Sequence, residues 1–234
     1  MANATGRAPA SVLVTGASRG IGLAIAKRFA AAGSHVTICA RDVGEAARAH
    51  PGLECIACDM ADKAQVQALA ARVLAAGGAP DLLVNNAGSY LPGSLHEEAD
   101  GTFEAMIAIN VASAYHLTRA LLPGMIARGD GTILNVCSTA SITPYPNGGS
   151  HGIAKHALYG FNKTLREELK PHGIRVVALL PGATLTASWE GTDLPDERFM
   201  PPEDIAELAW TAWALSGRTV VEELLVRPML GDIP

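Results

Sequence analysis

No apolar run in this chain reaches the roughly 18 residues that a membrane-spanning helix needs, so no membrane association is expected. Basic residues do not cluster: Lys and Arg total 18 against 23 Asp and Glu, a formal charge of −5. A protein that neutralises a run of phosphates needs the opposite balance, which excludes nucleic acid as a partner. The opening stretch, Met1 to Pro9, is polar and has no apolar h-region, so the expectation is a cytoplasmic protein without a secretion signal. Cysteine is sparse. Cys55 and Cys58 stand at CxxC spacing, but a second ligand pair is missing and the stretch reads as a buried strand. These two, with Cys39 and Cys137, are expected to be core thiols, with no metal and no disulfide. What is present is apolar bulk. The 234 residues are 49% hydrophobic and 18% charged, too apolar for a disordered chain. A chain of this length buries about 70% of the surface its unfolded form exposes.

Apolar β-branched runs alternate with runs at helical spacing from end to end. Strands are expected at Ser11–Thr15, His35–Ala40, Leu53–Cys58, Asp81–Val84, Thr132–Cys137, Ile174–Leu180 and Val221–Val226. Helices are expected at Ile21–Ala32, near Gly44–His50, from the Asp62 cap to Ala76, at Gly101–Arg128, at Ser150–Leu169 and at Pro202–Ser216. Strands that are apolar on both faces and separated by helices call for a parallel sheet covered on both sides. The expected fold is therefore a doubly wound α/β domain of Rossmann type, with about seven strands over residues 10–234. A loose tail is expected over residues 1–9, and a substrate loop near 183–201.

Thr15-Gly16-Ala17-Ser18-Arg19-Gly20-Ile21-Gly22 falls where the first strand ends and the first helix begins. Gly16 permits a tight turn, while Gly20 and Gly22 let backbone approach a pyrophosphate. The free N–H groups of this terminus, around Ser18, Arg19 and Ile21, then face phosphate oxygens. The second strand ends Cys39-Ala40-Arg41-Asp42. A binder of NAD(H) usually places an acid at this strand end to hold both ribose hydroxyls. Here Ala40 and Arg41 stand there, and a guanidinium suits a 2′-phosphate. Arg19 can reach the same phosphate. NADP(H) is the expected coenzyme, with NAD(H) less favoured.

At this point the sequence resembles the short-chain dehydrogenase/reductase family over nearly its whole length. Thr15–Gly22 is similar to the family's TGxxxGxG turn, and Asp59 resembles the acid that holds the adenine. Asn85-Asn86-Ala87-Gly88 resembles its NNAG motif. Asn110, Ser138 and Lys155 fall at its helix asparagine, its serine and its lysine. Pro181-Gly182, with Thr184 and Thr186, resembles the segment that contacts the nicotinamide carboxamide. The resemblance implies hydride transfer between a nicotinamide and a carbonyl or carbinol carbon. In that scheme a tyrosine exchanges the proton, the lysine lowers its pKa, the serine orients the substrate oxygen, and the asparagine backbone holds a water.

One position departs. The family motif is YxxxK, and four residues before Lys155 stands His151. Its spacing of thirteen from Ser138 is the one the resemblance assigns to the tyrosine. Tyr145 lies six residues earlier in a Pro-rich loop, and Tyr159 one turn beyond Lys155 reads as helix packing. An imidazole donates a proton readily only when charged. At an ordinary pKa of about 6.5, roughly a quarter is charged at pH 7, and Lys155 one helical turn away lowers that fraction. Three accounts stand open. His151 is an incidental or engineered change in a reductase; it belongs to an enzyme with a different proton relay; or the chain binds coenzyme without turnover, as a sensor or scaffold.

The pocket is expected over the carboxyl ends of the strands. Its walls are expected from Ser89–Leu91 with Tyr90, from Ala140–Asn147 with Tyr145, and from Ala187–Met200 with Trp189 and Phe199. These are apolar, and no Lys or Arg lies between Arg128 and Lys155, so a small neutral ketone or alcohol is expected. His116, His156 and His172 read as helix residues. Apolar stripes on the two long helices, and the apolar stretch from Glu223 to Leu230, point to a homodimer or homotetramer. If His151 is an impaired acid, reduction is slow, its rate rises as pH falls, and His151→Tyr turns over about 10²–10⁴-fold faster. Steady-state kinetics check this, and equal or slower turnover by the tyrosine form refutes it.

Overall fold

The computed structural model describes residues 10–233; the expected loose tail over 1–9 lies outside them. The elements in chain order are β1 Ser11–Thr15, α1 Gly20–Ala31, β2 His35–Ala40, α2 Gly44–Ala49, β3 Glu54–Ala57, α3 Lys63–Gly77 and β4 Leu82–Asn85. After them come α4 Thr102–Ile107, α5 Ser113–Arg128, β5 Gly131–Val136, α6 Gly149–Leu169, β6 Ile174–Pro181, α7 Pro202–Ala214 and β7 Glu223–Val226. The strands form one seven-stranded sheet in the order β3-β2-β1-β4-β5-β6-β7, with every pairing parallel. Every residue of β4, β5 and β6 is buried, as strands covered on both faces require.

Two layers of helix supply that cover. On one face Phe29 of α1 meets Trp210 and Trp213 of α7 edge-on, with ring centroids 5.1 and 5.5 Å apart. On the other face Leu13, Leu83 and Ile133 of the sheet pack with Leu117, Leu121 and Met125 of α5 and Val66 and Leu69 of α3. Asp62 caps α3 as its position before the apolar run suggests, accepting from the N–H groups of Ala64 at 2.8 Å and Gln65 at 3.3 Å. Cys39 and Cys58 are buried and free, and their thiols approach the Met60 sulfur at 3.6 and 3.7 Å.

The expected continuous helix over 101–128 is not continuous. A π-helical turn at Ala108–Ala112 separates α4 from α5. Asn110 is its buried centre, and its side-chain amide donates to the carbonyls of Met106 and Ser89, both at 3.1 Å. A side chain that competes for carbonyls of the preceding turn favours such a widening. Below it runs a buried amide ladder. Asn85 donates to Thr118 at 3.0 Å and to Asn135 at 2.8 Å, and Asn135 donates to Asn162 at 2.8 Å. The ladder ties β4, β5, α5 and α6 together just under the strand ends. Phe29 is fully buried. Phe29→Ala is expected to lower the unfolding free energy by about 3–5 kcal/mol, read from urea denaturation.

Candidate active site

The chain leaves β1 and β4, which are neighbours in the sheet, toward opposite sides, and this opens a crevice at their carboxyl ends. Gly16 lines it with φ +62, and a Cβ there would sit 2.7 Å from the Ala87 Cα. A Cβ on Gly22 would sit 2.8 Å from the Gly16 carbonyl oxygen and would also strike the Asn86 amide. The Asn86 amide donates to the carbonyls of Thr15 at 2.8 Å and Gly16 at 2.9 Å, so the second motif clasps the first. Arg19 is the residue before α1 and makes no side-chain cap, which leaves the N–H groups of the first turn open to a ligand. A Cβ on Gly20 would meet the Thr186 methyl at 3.2 Å, so Thr186 lies across the turn.

Ser18 is half-buried in the turn, while Arg19 and Arg41 are exposed, and neither arginine forms an ion pair among the described residues. The acid beside Arg41 is occupied, since Asp42 accepts from the Gly44 N–H at 2.8 Å. Asp59 receives the Ala61 N–H at 3.0 Å, and its own N–H donates to Gln65 at 2.8 Å. Glycine-lined main chain with free donors, beside two unpaired guanidinium groups, fits a phosphorylated dinucleotide.

The candidate reacting groups stand on the exit from β5, the π-helical turn and α6. Ser138 follows β5 and opens a short 3-10 turn at Thr139–Ser141, which packs on α6. The Ser138 hydroxyl oxygen accepts the Ala140 N–H at 3.1 Å, leaving its proton free for a substrate oxygen. Lys155 of α6 is buried and donates to the Val136 carbonyl at 3.1 Å. A Cβ on Gly88 would sit 2.6 Å from the Asn110 side-chain oxygen and 3.6 Å from Lys155 Nζ, which brings these three residues to one spot. His151, one turn before Lys155, is buried. Pro181 ends β6, Gly182 donates to the Val226 carbonyl at 2.8 Å, and the Thr184 hydroxyl donates to the Gly182 carbonyl at 3.1 Å.

Among the expected wall residues, Tyr90 and Tyr145 both reach His151. The Tyr90 ring meets the imidazole edge-on at 4.9 Å, and Tyr145 Oη lies 3.1 Å from His151 Nδ1. Trp189 packs instead on Phe199 at 4.9 Å within the 183–201 loop, whose ends are pinned by Leu185 N–H on Met200 and Met200 N–H on Ala183. Tyr159 turns away to donate to Glu223 at 2.6 Å. Two grooves of about 470 and 390 Å³ share Leu95: one runs along Glu98 to Glu104 and Ser150, the other along Pro144, Tyr145 and the exposed Ile153 and His156 of α6, and neither is lined by Ser138, His151 or Lys155.

The sequence matches the short chain dehydrogenase family over residues 10–195. The chain belongs to that family. It is 32% identical over 241 residues to a sepiapterin reductase of Chlorobaculum tepidum, covering 95% of this chain and 97% of that one. The fold matches a metagenomic short-chain oxidoreductase solved with NADP, at TM-score 0.82 and 35% identity, over 94% of this chain and 97% of that one. It also matches L-sorbose reductase of Gluconobacter frateurii solved with NADPH and L-sorbose, at TM-score 0.88 and 30% identity, over 96% and 97% of the two chains.

In this short-chain dehydrogenase the electrostatics of the corner are set by burial. Burial, and then the Lys155 ammonium, push His151 down to about 4, so the imidazole is neutral at pH 7. Burial also lowers Lys155, with the Cys137 thiol opposing, and it pushes Cys137 up to about 12. The sequence treats Tyr145 as a pocket wall only. The signal that it returns to His151 lies in the loop itself, where Asn147 is left-handed with φ 60 and precedes two glycines. Between its folded value near 4 and its ordinary 6.5, His151 binds a proton when unfolded and none when folded. Stability is therefore lost as pH falls through that window. Urea titrations at pH 7 and pH 4 are expected to show the unmodified protein losing about 2–3 kcal/mol more than His151→Gln.

Proposed function

We propose that this chain is an NADP(H)-dependent oxidoreductase that reduces a small neutral ketone and, in reverse, oxidises the corresponding alcohol. The observation that carries the reading is Asn110 and Lys155 meeting at Gly88 beside a glycine-lined crevice, with His151 one turn away on α6 and the turn that Ser138 opens packed on the same helix. When bound, NADPH supplies the hydride to the carbonyl carbon. The main chain from Gly16 to Gly22 cradles its pyrophosphate, and Asp59 faces the adenine. Ala87 and Gly88 keep the floor of the crevice low enough for a nucleoside. Pro181, Gly182, Thr184 and Thr186 flank the nicotinamide end. Ser138 orients the substrate oxygen by a hydrogen bond from its hydroxyl, and Lys155 holds a positive charge beside it. Arg41 and Arg19 favour NADP(H) over NAD(H), because both are exposed without ion pairs among the described residues and the neighbouring Asp42 carboxylate already accepts a main-chain N–H.

The aromatic walls Tyr90 and Tyr145, both set against His151, support an uncharged substrate. Two relatives studied with NADP or NADPH support the coenzyme class. A cytoplasmic location fits a chain in which no described helix is long and apolar enough to cross a membrane. Exposed Tyr115, Ile153, Leu225, Met229 and Leu230 support assembly into a dimer or tetramer. His151 motivates a second reading, a coenzyme-binding sensor or scaffold without turnover.

Calorimetry with NADPH and NADH, followed by NADPH oxidation over a panel of aromatic and aliphatic ketones, separates the two. Tight binding with turnover is expected. Losing two charge-assisted contacts, the Arg19→Ala, Arg41→Ala double variant is expected to bind NADPH at least about tenfold more weakly and NADH almost unchanged. Binding without turnover, unrestored by His151→Tyr, supports the sensor, and no binding to either coenzyme removes both readings.

A further inference from the structure

Resting on the reductase reading, we infer that Tyr145 is the source of the proton that His151 passes to the substrate oxygen. Tyr145 is a positioning and relay residue that acts through the imidazole. The geometry is direct, with Tyr145 Oη 3.1 Å from His151 Nδ1. The Tyr90 ring, edge-on at 4.9 Å, limits how far the imidazole can turn.

The loop that carries Tyr145 is held to this task from several sides. Gly148 N–H donates to the Tyr145 carbonyl at 3.1 Å. The Asn147 carbonyl accepts the Gly93 N–H at 3.0 Å, and its side-chain oxygen accepts the Ser94 hydroxyl at 2.8 Å. Glu98 receives both the N–H and the hydroxyl of Ser150, the residue before His151. Two loops, one after β4 and one before α6, are thus stitched together over the first turn of α6, with Tyr90 on one and Tyr145 on the other.

The proton count follows from the groups. A phenol has one proton to donate, and a neutral imidazole has one lone pair and one N–H. Donation from Tyr145 Oη–H to Nδ1 puts the ring proton on Nε2, the nitrogen left for the substrate. As the carbonyl oxygen gains negative charge, the Nε2–H bond breaks and the O–H bond of the alcohol forms. The Tyr145 Oη–H bond then breaks and an Nδ1–H bond forms. The imidazole ends neutral in its other tautomer, and one phenolate remains. An alkoxide is a stronger base than a phenolate, so the sequence runs downhill. Tyr145 and Tyr90 are 37% and 38% exposed, so water can return the proton without crossing the core. Oxidation of the alcohol uses the same steps backward.

The charges around the ring suit this route. Lys155 on the same helix opposes an imidazolium, and a relay through a neutral ring never forms one. Of the titratable groups on the two loops, the phenols Tyr90 and Tyr145 lie against the ring, Glu98 is taken by Ser150, and His96, Glu97 and Asp100 are on the same loop, with His96 3.7 Å from Glu97. Burial, and then the Tyr90 phenol, hold the Tyr145 proton on above the ordinary phenol range, so it stays loaded at neutral pH.

The test uses the full chain and Tyr145→Phe. Nitrogen NMR of labelled, coenzyme-free protein is expected to show His151 with its proton on Nε2, and the phenylalanine variant is expected to lose that preference. In ketone reduction with NADPH, the variant is expected to lose about 10²-fold in kcat with KM almost unchanged. The pH profile separates relay from structure. Wild-type kcat is expected to be flat between about pH 6 and 8, and the variant's residual rate to rise as pH falls, because only an imidazolium can then serve. A ring proton on Nδ1 in the wild type, or a variant with unchanged kcat and a flat profile, overturns the relay alone. No turnover by the wild type sinks the reductase reading, and the relay chemistry with it.

Discussion

The site depends on one buried hydroxyl. Thr15 closes β1 and is 1% exposed. Its proton goes to the Val84 carbonyl at 3.3 Å, and its oxygen accepts the N–H groups of Asn86 and Ala87, both at 3.0 Å. A hydroxyl has one proton and two lone pairs, so nothing is left over. These bonds fix the end of β1 to the chain leaving β4, at the point where the strand order reverses. The glycine turn and the Asn86–Gly88 segment take their places from that joint. Gly88 in turn leaves the room in which the Asn110 side chain and Lys155 approach each other. The joint at Thr15 leaves little slack, because Gly16 packs on the Ala87 backbone and Gly22 packs on the Gly16 carbonyl and the Asn86 amide.

The opposite end of the crevice is governed by charge. A buried ammonium is expensive, and Lys155 has the Val136 carbonyl as its hydrogen-bond partner. A corner that already holds one cation resists a second. In the proposed mechanism this decides how His151 works: as a neutral ring that carries protons through, with the phenol displaced from position 151 to position 145. The single positive charge remains available to favour negative charge on the substrate oxygen, whereas an imidazolium beside it would raise the cost of both.

What the sequence reveals divides along lines of range. β1 and β2 fall on the residues that periodicity and turn chemistry indicate, and Asp62 caps its helix as its side chain allows, because each is decided within a few residues. The glycine turn is legible for the same reason. The π-helical turn at Ala108–Ala112 is not, because Ala-Ile-Asn-Val-Ala has no local breaker; the widening answers a carbonyl on Ser89, twenty-one residues away. The return of Tyr145, an expected pocket wall, onto His151 is not legible for a similar reason. A Pro-rich loop announces that the helix has not begun, but its direction is set by Asn147 meeting Gly93 and Ser94, over fifty residues back. Trp189 looks like a pocket wall from its chemistry, and only the fold pairs it with Phe199.

The division between rigid and adaptable parts has a chemical consequence. Ser138, His151, Lys155 and Asn110 stand on the sheet end and on helices knit by the buried amide ladder, so their relative positions are costly to change. Tyr145 stands on a loop held by other loop residues. Gly149, with φ +34, admits the Gly93 carbonyl so closely that a Cβ would lie 2.5 Å from it, and the two loops therefore move as a pair or not at all. The same pair carries Tyr90 and Tyr145, the two walls set against His151. In the proposed reading the phenol already rests on the imidazole before a substrate arrives, so the proton supply is in place when the pocket fills and no loop rearrangement has to precede the transfer.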